Sequence, residues 1–252
     1  MSRTADHYQR LLAPIYLWMA GGAEKALALG AADLNLLGVT ASAGDPALDL
    51  GAGFGMHAIA LARLGYRVTA LDSSPELLSE LEQLGEGLGI RALQADLLSF
   101  EADISIPPRL ILCMGDTLTH LASIADVDLL CRRVAMALAP GGRFVTTFRD
   151  YTHPALADAR FIPVRSDANR IHICFLEEAG DRILVHDIVH ERQQGGNWAM
   201  HVGHYPKLRL DPHIVVRALK TSGLQAALTS GPRGMVQISA VKRGAPHIDP
   251  PG

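Results

Sequence analysis

The sequence predicts an α/β fold in which helices cover both faces of a mostly parallel β-sheet and an antiparallel β meander is inserted. Three observations support this fold class. Between residues 47 and 150, apolar runs typical of buried strands alternate with runs of helical periodicity. A glycine-rich turn follows the first of these strands. From about Phe161 to Leu210 the periodicity changes to alternation, which is typical of half-buried antiparallel strands.

The first strand and its turn occupy residues 47–55, where Asp49 precedes a series of glycines. Glycine tolerates positive φ and lets the backbone approach a ligand closely. Free N–H groups at the start of the next helix favour polar or anionic ligand groups. A dinucleotide fingerprint would need Gly or Ala where Met56 stands, which argues against an NAD-dependent oxidoreductase. The alternative to a ligand-binding turn is a plain strand–turn–helix in which the glycines serve only the backbone geometry. The glycines of the turn are Gly51, Gly53 and Gly55.

The second strand, residues 66–72, ends in an acid. Ser73 or Ser74 then caps a helix that has Pro75 in its first turn. Because the two strands are consecutive β–α units, Asp72 is expected beside the glycine turn, where its carboxylate can accept hydrogen bonds from two vicinal hydroxyls. The alternative for Asp72 is a solvated residue at the end of a strand, and we favour the diol role.

The third and fourth strands also end in polar residues. A short strand over 90–94 is followed by Asp96, for which helix capping is one of two candidate roles. The apolar run 109–114 predicts a strand that is covered on both faces. Ligands of open α/β sheets bind outside the carboxyl ends of the strands. Asp116 and His120, which follow this strand, are therefore placed to hold a reactant.

The rest of the chain completes the sheet. A helix over 125–138 leads to a fifth strand over 143–148, and Asp211 with Pro212 starts a later helix. Segments 224–228 and 235–241 have no helix between them, so we expect an antiparallel hairpin at the sheet edge. Residues 7–38 predict helices interrupted at Gly21-Gly22; the first helix lies either over the ligand pocket or simply on the sheet.

Composition limits the function classes. The chain has 252 residues, a formal net charge of −3 and no run long enough to span a bilayer. The acidic balance argues against nucleic acid as a partner. There is no signal-peptide pattern at the N-terminus, and the tail from Gly244 is expected to be loose. The three cysteines lack a C-x-x-C spacing, which favours free thiols and a cytoplasmic location.

The pattern D-x-G-x-G-x-G over 49–55 resembles the first motif of the class I S-adenosylmethionine (SAM)-dependent methyltransferases. Asp72, Asp96, Pro140-Gly141-Gly142 and the terminal hairpin are in register with it. The resemblance implies a seven-stranded Rossmann-like sheet, SAM as cofactor and S-adenosylhomocysteine as product. It also implies that Asp96 meets the adenine amine beside the Leu97 backbone. The implied cofactor-binding residues are Asp49, Gly51, Ala52, Gly53, Gly55, Asp72, Ser73, Asp96, Leu97 and Met114.

Two further segments are similar to the glycine/sarcosine N-methyltransferase-like group of small-molecule enzymes. Residues 115–121 resemble that group's G-N-S-x-x-H-L segment, and residues 149–151 resemble its R-N-Y segment. The resemblance implies that Arg149 binds an acceptor carboxylate. Asp replaces Asn in both segments, so the acceptor can differ. The implied acceptor-binding or base residues are Asp116, His120, Arg149 and Tyr151, and the sequence also offers His201 and His204 as candidates.

The resulting hypothesis is a SAM-dependent enzyme that methylates N or O of a small molecule. We expect a helical lid at 1–40, a cofactor-binding core at 41–150 and 211–243, and a cover for the acceptor site at 151–210. The alternatives are a SAM-binding regulatory module without turnover and a methyltransferase for RNA or protein. No metal or membrane partner is predicted, and a homodimer is compatible with the sequence. A metal site is the alternative for four histidines of the inserted segment, but alternation spreads them over strands without an accompanying acid cluster. These histidines are His186, His190, His201 and His204.

Overall fold

The structure is a computed structural model that describes residues 7–153 and 157–244, without the side chains of residues 103 and 157. The N-terminus before residue 7 and the expected loose tail beyond Gly244 lie outside the described residues. The chain forms two sheets with helices around the larger one. Its strands are β1 Pro46–Leu50, β2 Arg67–Asp72, β3 Arg91–Gln94, β4 Leu110–Cys113, β5 Arg143–Phe148, β6 Phe161–Ser166, β7 Arg170–Ala179, β8 Arg182–Arg192, β9 Trp198–Leu208, β10 Leu224–Ser230 and β11 Val236–Lys242.

The main sheet has seven strands in the order β10-β11-β5-β4-β1-β2-β3. β1 to β5 are mutually parallel where they pair, whereas β11 is antiparallel to both β5 and β10. The carboxyl ends of β1, β2 and β4 therefore meet at one edge of the sheet. The predicted seven-stranded fold and the terminal hairpin are confirmed.

Six α-helices accompany the described strands. They are α1 Tyr16–Met19, α2 Ala23–Leu36, α3 Met56–Arg63, α4 Pro75–Leu84, α5 Ile124–Ala137 and α6 Pro212–Thr221. The glycine turn leads into α3, Ser74 caps α4 by accepting the N–H of Leu77, and Asp211 caps α6 by accepting the N–H of His213. Short π and 3-10 turns over Tyr8–Leu12 and Ala13–Ile15 precede α1, and residues 7–19 are called the N-terminal segment below.

Both faces of the central strands are buried. In β4, Ile111 and Cys113 join the core on the side of α5 and α6, while Leu110 and Leu112 join the core under α3 and α4. This is why the sequence of β4 is continuously apolar rather than alternating. Each buried leucine or isoleucine contributes about 1.5–3 kcal/mol relative to exposure. Layers on both faces hold the strand ends, and thus the site, in fixed positions.

The inserted segment forms a separate antiparallel sheet in the order β6-β7-β8-β9. Its inner face is covered by the N-terminal segment, because Leu12 packs with Leu176, Val185 and Tyr205. The predicted meander of three or four strands is confirmed with four.

The cysteines of the described chain are free, as predicted, and Cys113 and Cys131 are buried. None of the described helices combines the length and the apolar character that crossing a bilayer requires.

A buried ion pair joins three distant parts of the chain. Asp33 on α2 has only 2% of its surface exposed, and it accepts hydrogen bonds of 2.7 and 2.9 Å from the Arg233 guanidinium. His57 Nε2, on α3, lies 3.0 Å from the same carboxylate. Arg233 adopts a left-handed conformation with φ +52°, which strains a non-glycine residue. The ion pair offsets that strain and fixes the β10–β11 turn against α2.

We expect Arg233→Ala to lower the free energy of unfolding by about 1–2 kcal/mol, because the buried Asp33 would lose two donors. The effect lies at the lower end for a buried pair because the Arg233 side chain is 40% exposed and screened by solvent. Urea unfolding would measure it, with the exposed Arg63→Ala at the end of α3 as the control. Equal loss in both variants would contradict this role for Asp33.

Candidate active site

The glycine turn after β1 is shaped by positive backbone angles. Gly51, Gly53 and Gly55 have φ of 72°, 56° and 88°. A Cβ atom at Gly51 would lie 2.4 Å from Thr117 Cγ2, and one at Gly55 would lie 2.6 Å from Leu81 Cγ. A Cβ atom at Gly53 would meet nothing within 4 Å. Packing therefore requires two of the glycines, and the third borders open space at the carboxyl edge of the sheet.

Asp72 lies beside this turn, as predicted. Its Oδ2 accepts the N–H of Gly53 at 2.8 Å, and its Oδ1 accepts the N–H of Ser74 at 2.9 Å. Burial raises the pKa of the carboxyl group despite these two bonds. A carboxylate offers about four acceptor positions. Asp72 therefore keeps capacity for ligand hydroxyls next to the open side of Gly53.

Asp49 is a buried carboxyl group with an incomplete set of partners. Only 1% of its surface is exposed, and its Oδ2 has no hydrogen-bond partner among residues 7–153 and 157–244. Burial raises its pKa from 3.8 to about 6. An orphaned buried oxygen is unfavourable. A donor group on a ligand in the turn would satisfy it, so the residues present fit a ligand that carries an amino group.

The remaining predicted cofactor residues lie along the same edge. The Asp96 Oδ1 accepts the N–H of Leu98 at 2.7 Å and so closes a turn. The next helical turn begins after Ser99, so Asp96 does not cap a helix, and an adenine contact remains a prediction. The N–H of Ala52 in the glycine turn donates to the carbonyl of Leu71 on β2. Met114 directly follows β4, and its carbonyl accepts a hydrogen bond from the Thr117 hydroxyl. Ser73 directly follows Asp72 in the sequence, and Leu97 directly follows Asp96.

Three side chains surround the buried carboxylate of Asp116, which follows β4 at the same edge of the sheet. Asp116 Oδ2 accepts hydrogen bonds of 2.6 Å from both Arg149 and Lys207, and the Tyr151 hydroxyl lies 3.4 Å away. Asp116 Oδ1 accepts the backbone N–H of Arg149 at 2.8 Å. Burial alone would raise the pKa of Asp116, but the charges of Lys207 and Arg149 hold it well below its usual range. These four residues are called the Asp116 cluster below.

Lys207 belongs to the site but was missed from the sequence. It lies on β9 in the inserted sheet, and its side chain is 7% exposed. Its burial would lower the pKa, but Asp116 raises it well above the usual range, so the ammonium stays charged. The available signal was its position two residues after Tyr205, which places both on the inner face of an alternating strand.

His120 lies in an aromatic wall next to the cluster. Its ring stacks on Tyr205 at 5.5 Å between centroids and meets the edge of Tyr8 at 5.3 Å. Burial, followed by the nearby Lys207 charge, lowers the pKa of His120 to about 3. His120 is therefore neutral at neutral pH and only a weak base. It suits water exclusion and hydrogen bonding better than proton removal.

The N-terminal segment contacts both the glycine turn and the inserted sheet. Tyr16 lies 5.8 Å, between ring centroids, from Phe54 in the glycine turn, and a position of this segment over a ligand pocket stays a prediction. At the other end, His7 Nε2 lies 2.7 Å from Asp187 Oδ2 on β8. A Cβ atom at Gly203 on β9 would lie 2.6 Å from His7 Nδ1, so the backbone of β9 fits closely against this histidine.

The two histidines proposed from the sequence as further bases do not join the Asp116 cluster. His204 is exposed, and its ring lies 5.2 Å from that of His186. The His201 side chain is 50% exposed and lies 3.7 Å from Glu191. Alternation along β9 explains the His204 position, since it has opposite parity to Lys207. Tyr151, by contrast, is part of the Asp116 cluster.

A separate group of potential metal ligands lies on the inner face of the inserted sheet. One ligand atom each from His172, Cys174 and Asp187 lie within 4.8 Å of one another. Asp187 Oδ1 is 2.7 Å from His172 Nε2 and accepts from Cys174 at 2.9 Å, while its Oδ2 contacts His7. Both carboxylate oxygens thus have partners without a metal. The group joins β7 and β8 to the N-terminal segment as a hydrogen-bond network.

A cavity of ≈ 260 Å³ opens beside Arg149 and Tyr151 and reaches Leu176 and Ile183 of the inserted sheet. It offers space for a small molecule next to the Asp116 cluster. A second cavity of ≈ 350 Å³, next to Trp18 and Arg170, is lined by none of the predicted site residues.

Comparison with known proteins agrees with this geometry. Residues 47–142 match the model of a family described as "Methyltransferase domain". The CcbJ methyltransferase from Streptomyces caelestis has a similar fold, with a TM-score of 0.74 and 20% identity over 94% of this chain and 98% of that one. Residues 47–142 are therefore similar to a methyltransferase domain, and the chain has the fold of this solved methyltransferase.

Two curated methyltransferases are similar in part of their sequence. The glycine/sarcosine N-methyltransferase of Halorhodospira halochloris is 30% identical over 106 residues, which cover 41% of this chain and 40% of that protein. The ubiquinone biosynthesis O-methyltransferase of Xanthomonas axonopodis pv. citri is 31% identical over 144 residues, covering 56% and 59%. The chain thus matches 40% and 59% of the lengths of these two relatives.

Asp49 gives a testable pH dependence. Because its folded pKa of about 6 exceeds its ordinary 3.8, protonated Asp49 favours the fold, and stability falls as pH rises between these values. We expect Asp49→Asn to raise the free energy of unfolding at neutral pH by on the order of 1–3 kcal/mol. The two proteins should converge below a pH of about 4.

Urea unfolding of the cofactor-free protein across this pH range would measure the difference. Asp181→Asn is the control, since that side chain is 85% exposed. A constant difference between Asp49→Asn and the unsubstituted protein at all pH values would contradict the assignment.

Proposed function

We propose that this chain is an enzyme that transfers a methyl group from SAM to N or O of a small molecule that carries a carboxylate or similar anion. One observation carries the proposal: the Asp72 carboxylate is hydrogen-bonded to the Gly53 backbone, so acid and glycine turn form one concave edge. Ligands of such sheets bind at this edge. The Asp116 cluster, which follows β4 and β5, borders the same edge and would hold the second reactant.

The glycine turn and Asp72 would hold the cofactor. Asp72 would accept hydrogen bonds from the ribose hydroxyls, and the orphaned Asp49 oxygen would be satisfied through the amino group of the methionine part. When bound, SAM supplies a methyl group on a positively charged sulfur. The carboxyl edge beside Asp96 and Leu97 remains the proposed position for adenine.

The charges of the Asp116 cluster favour an anionic acceptor. One carboxylate faces two cations, Arg149 and Lys207, so the cluster keeps one positive charge. Arg149 is the cation that can reach a ligand, because its side chain is 49% exposed whereas Lys207 is buried. A planar guanidinium matches a carboxylate in geometry. The cavity beside Arg149 and Tyr151 would receive the acceptor.

The residues of this site position reactants rather than remove protons. Asp116 is held ionised by two cations, and His120 has a pKa of about 3. Neither is a strong base at neutral pH, so an amine acceptor would enter unprotonated and release its proton to water after transfer. Alignment of two reactants can lower a barrier by roughly 7–11 kcal/mol. Tyr8, Tyr205 and His120 would exclude water from the acceptor.

The function is tested by calorimetry with SAM and by release of S-adenosylhomocysteine with matched acceptors. Glycine and methylamine form one pair, and 3-hydroxybenzoate and phenol form another; each pair differs by a carboxylate. We expect binding of SAM and faster transfer to the carboxylate-bearing member. Binding without transfer to any acceptor would favour a regulatory module, and absence of SAM binding would overturn the proposal.

Asp72→Ala should weaken SAM binding by roughly 1–3 kcal/mol, because ligand hydroxyls would lose their acceptor. Calorimetry measures the change, and unaltered circular dichroism would show that the fold is kept. Asp181→Ala, at an exposed hairpin, is the matched control and should bind SAM normally. If Asp72→Ala keeps full affinity, Asp72 does not hold the diol.

Arg149→Met should raise the acceptor KM at least about tenfold, the loss of one charged hydrogen bond of ~1.4 kcal/mol or more. SAM affinity should be retained, and the preference for glycine over methylamine should disappear. Arg63→Met, on α3 and outside the Asp116 cluster, serves as the control. A variant that keeps the carboxylate preference would remove Arg149 from the acceptor site.

A further inference from the structure

The face of the inserted sheet that points away from the N-terminal segment is apolar. Along β8, Ile183, Val185 and Val189 are buried on the inner side, so the alternate residues face outward. We call this opposite side the outer face. Its central apolar side chains are Phe161, Ile173, Ile188, Trp198, Met200 and Val202.

The strand register makes these side chains contiguous. One row runs across all four strands, because Pro163 pairs with Ile173, Ile173 with Ile188, and Ile188 with Val202. Phe161 packs on Phe175 in the next row, with ring centroids 4.9 Å apart. Cross-strand neighbours of this kind form one surface rather than isolated apolar residues.

This surface is open to solvent in the single chain. The exposed fractions are 54% for Phe161, 45% for Trp198, 62% for Met200 and 58% for Val202. Single exposed apolar residues are ordinary on protein surfaces, but a contiguous apolar patch marks an interaction site. A sheet normally has one face solvated only when that face is polar.

We propose that the outer face packs against the outer face of a second copy of this chain, forming a two-fold dimer. The charge pattern favours a copy of itself as the partner. The polar side chains in the central rows of the described outer face are His186, His190 and His204, and Glu177 lies 2.7 Å from His186. The cations lie at the borders of the face, with Arg160 over the Phe175 ring and Arg192 at the end of β8. A two-fold axis through the row of Ile173, Ile188 and Val202 therefore sets apolar side chains against each other.

The size of the face also fits a dimer. β7, β8 and β9 have 10, 11 and 11 residues, so they are about 34–37 Å long, and four strands about 4.8 Å apart span about 19 Å. The face therefore measures on the order of 600 Å² per copy, at the lower end of the about 600–1,000 Å² per partner of stable interfaces. Two sheets can pack face to face at about 10 Å. The inner face, with Asp187, Tyr205 and Lys207, has the opposite parity and takes no part in this interface.

Sedimentation velocity and light scattering at micromolar concentration test the dimer. The full chain should have twice its 27.0 kDa mass. Met200→Lys should place a charge in the interface and raise the dissociation constant at least about a hundredfold, giving monomers. Met136→Lys on α5 is the matched control, because Met136 is 70% exposed and far from the inserted sheet; it should remain dimeric.

Circular dichroism would verify that Met200→Lys folds, and Val202→Lys is a second variant if it does not. SAM binding should be the same in Met200→Lys and the unsubstituted chain, which separates this test from that of the proposed function. A full chain that sediments as a monomer overturns the proposal, including when the face binds lipid vesicles or another protein. A folded Met200→Lys or Val202→Lys dimer also overturns it.

Discussion

The buried carboxylate of Asp116 is the interaction on which the two parts of the molecule depend. It follows β4 of the main sheet, yet its Oδ2 binds Lys207 of the inserted sheet, 91 residues away. An unpaired charge at this depth would be strongly unfavourable, so the carboxylate and the ammonium hold each other in place. The second cation, Arg149, brings the end of β5 to the same oxygen. The relative position of the two sheets near the cavity thus rests on electrostatics as well as on apolar packing.

The two sides of the candidate site are built in different ways. The proposed cofactor side uses backbone geometry: positive φ at the glycines and hydrogen bonds from Gly53 and Ser74 to Asp72. The proposed acceptor side uses long side chains that come from separate elements. The first arrangement is rigid, because backbone hydrogen bonds tie the turn after β1 to the end of β2. The second can change its chemistry through single substitutions, as the Asp at position 116 illustrates.

The parts of the structure that were predictable are those determined locally. The fifth strand was expected at residues 143–148 and is observed as Arg143–Phe148, because glycines and a polar loop bound an apolar run. Asp72 could be placed beside the glycine turn because both end adjacent parallel strands. Lys207 could not be assigned to Asp116, since no local pattern relates two residues in different sheets. The contacts of His7 with Asp187 and of Arg233 with Asp33 were missed for the same reason.

Gly203 connects the entrance of the site to a position away from the reacting atoms. The space beside the β9 backbone at Gly203 is filled by the His7 ring. A methyl group at 203 would push His7 away from β9 and from the Tyr205 ring, which lies 4.8 Å from it between centroids. Substitution at this one residue would therefore open space beside Tyr205 while every charged residue of the Asp116 cluster stays unchanged.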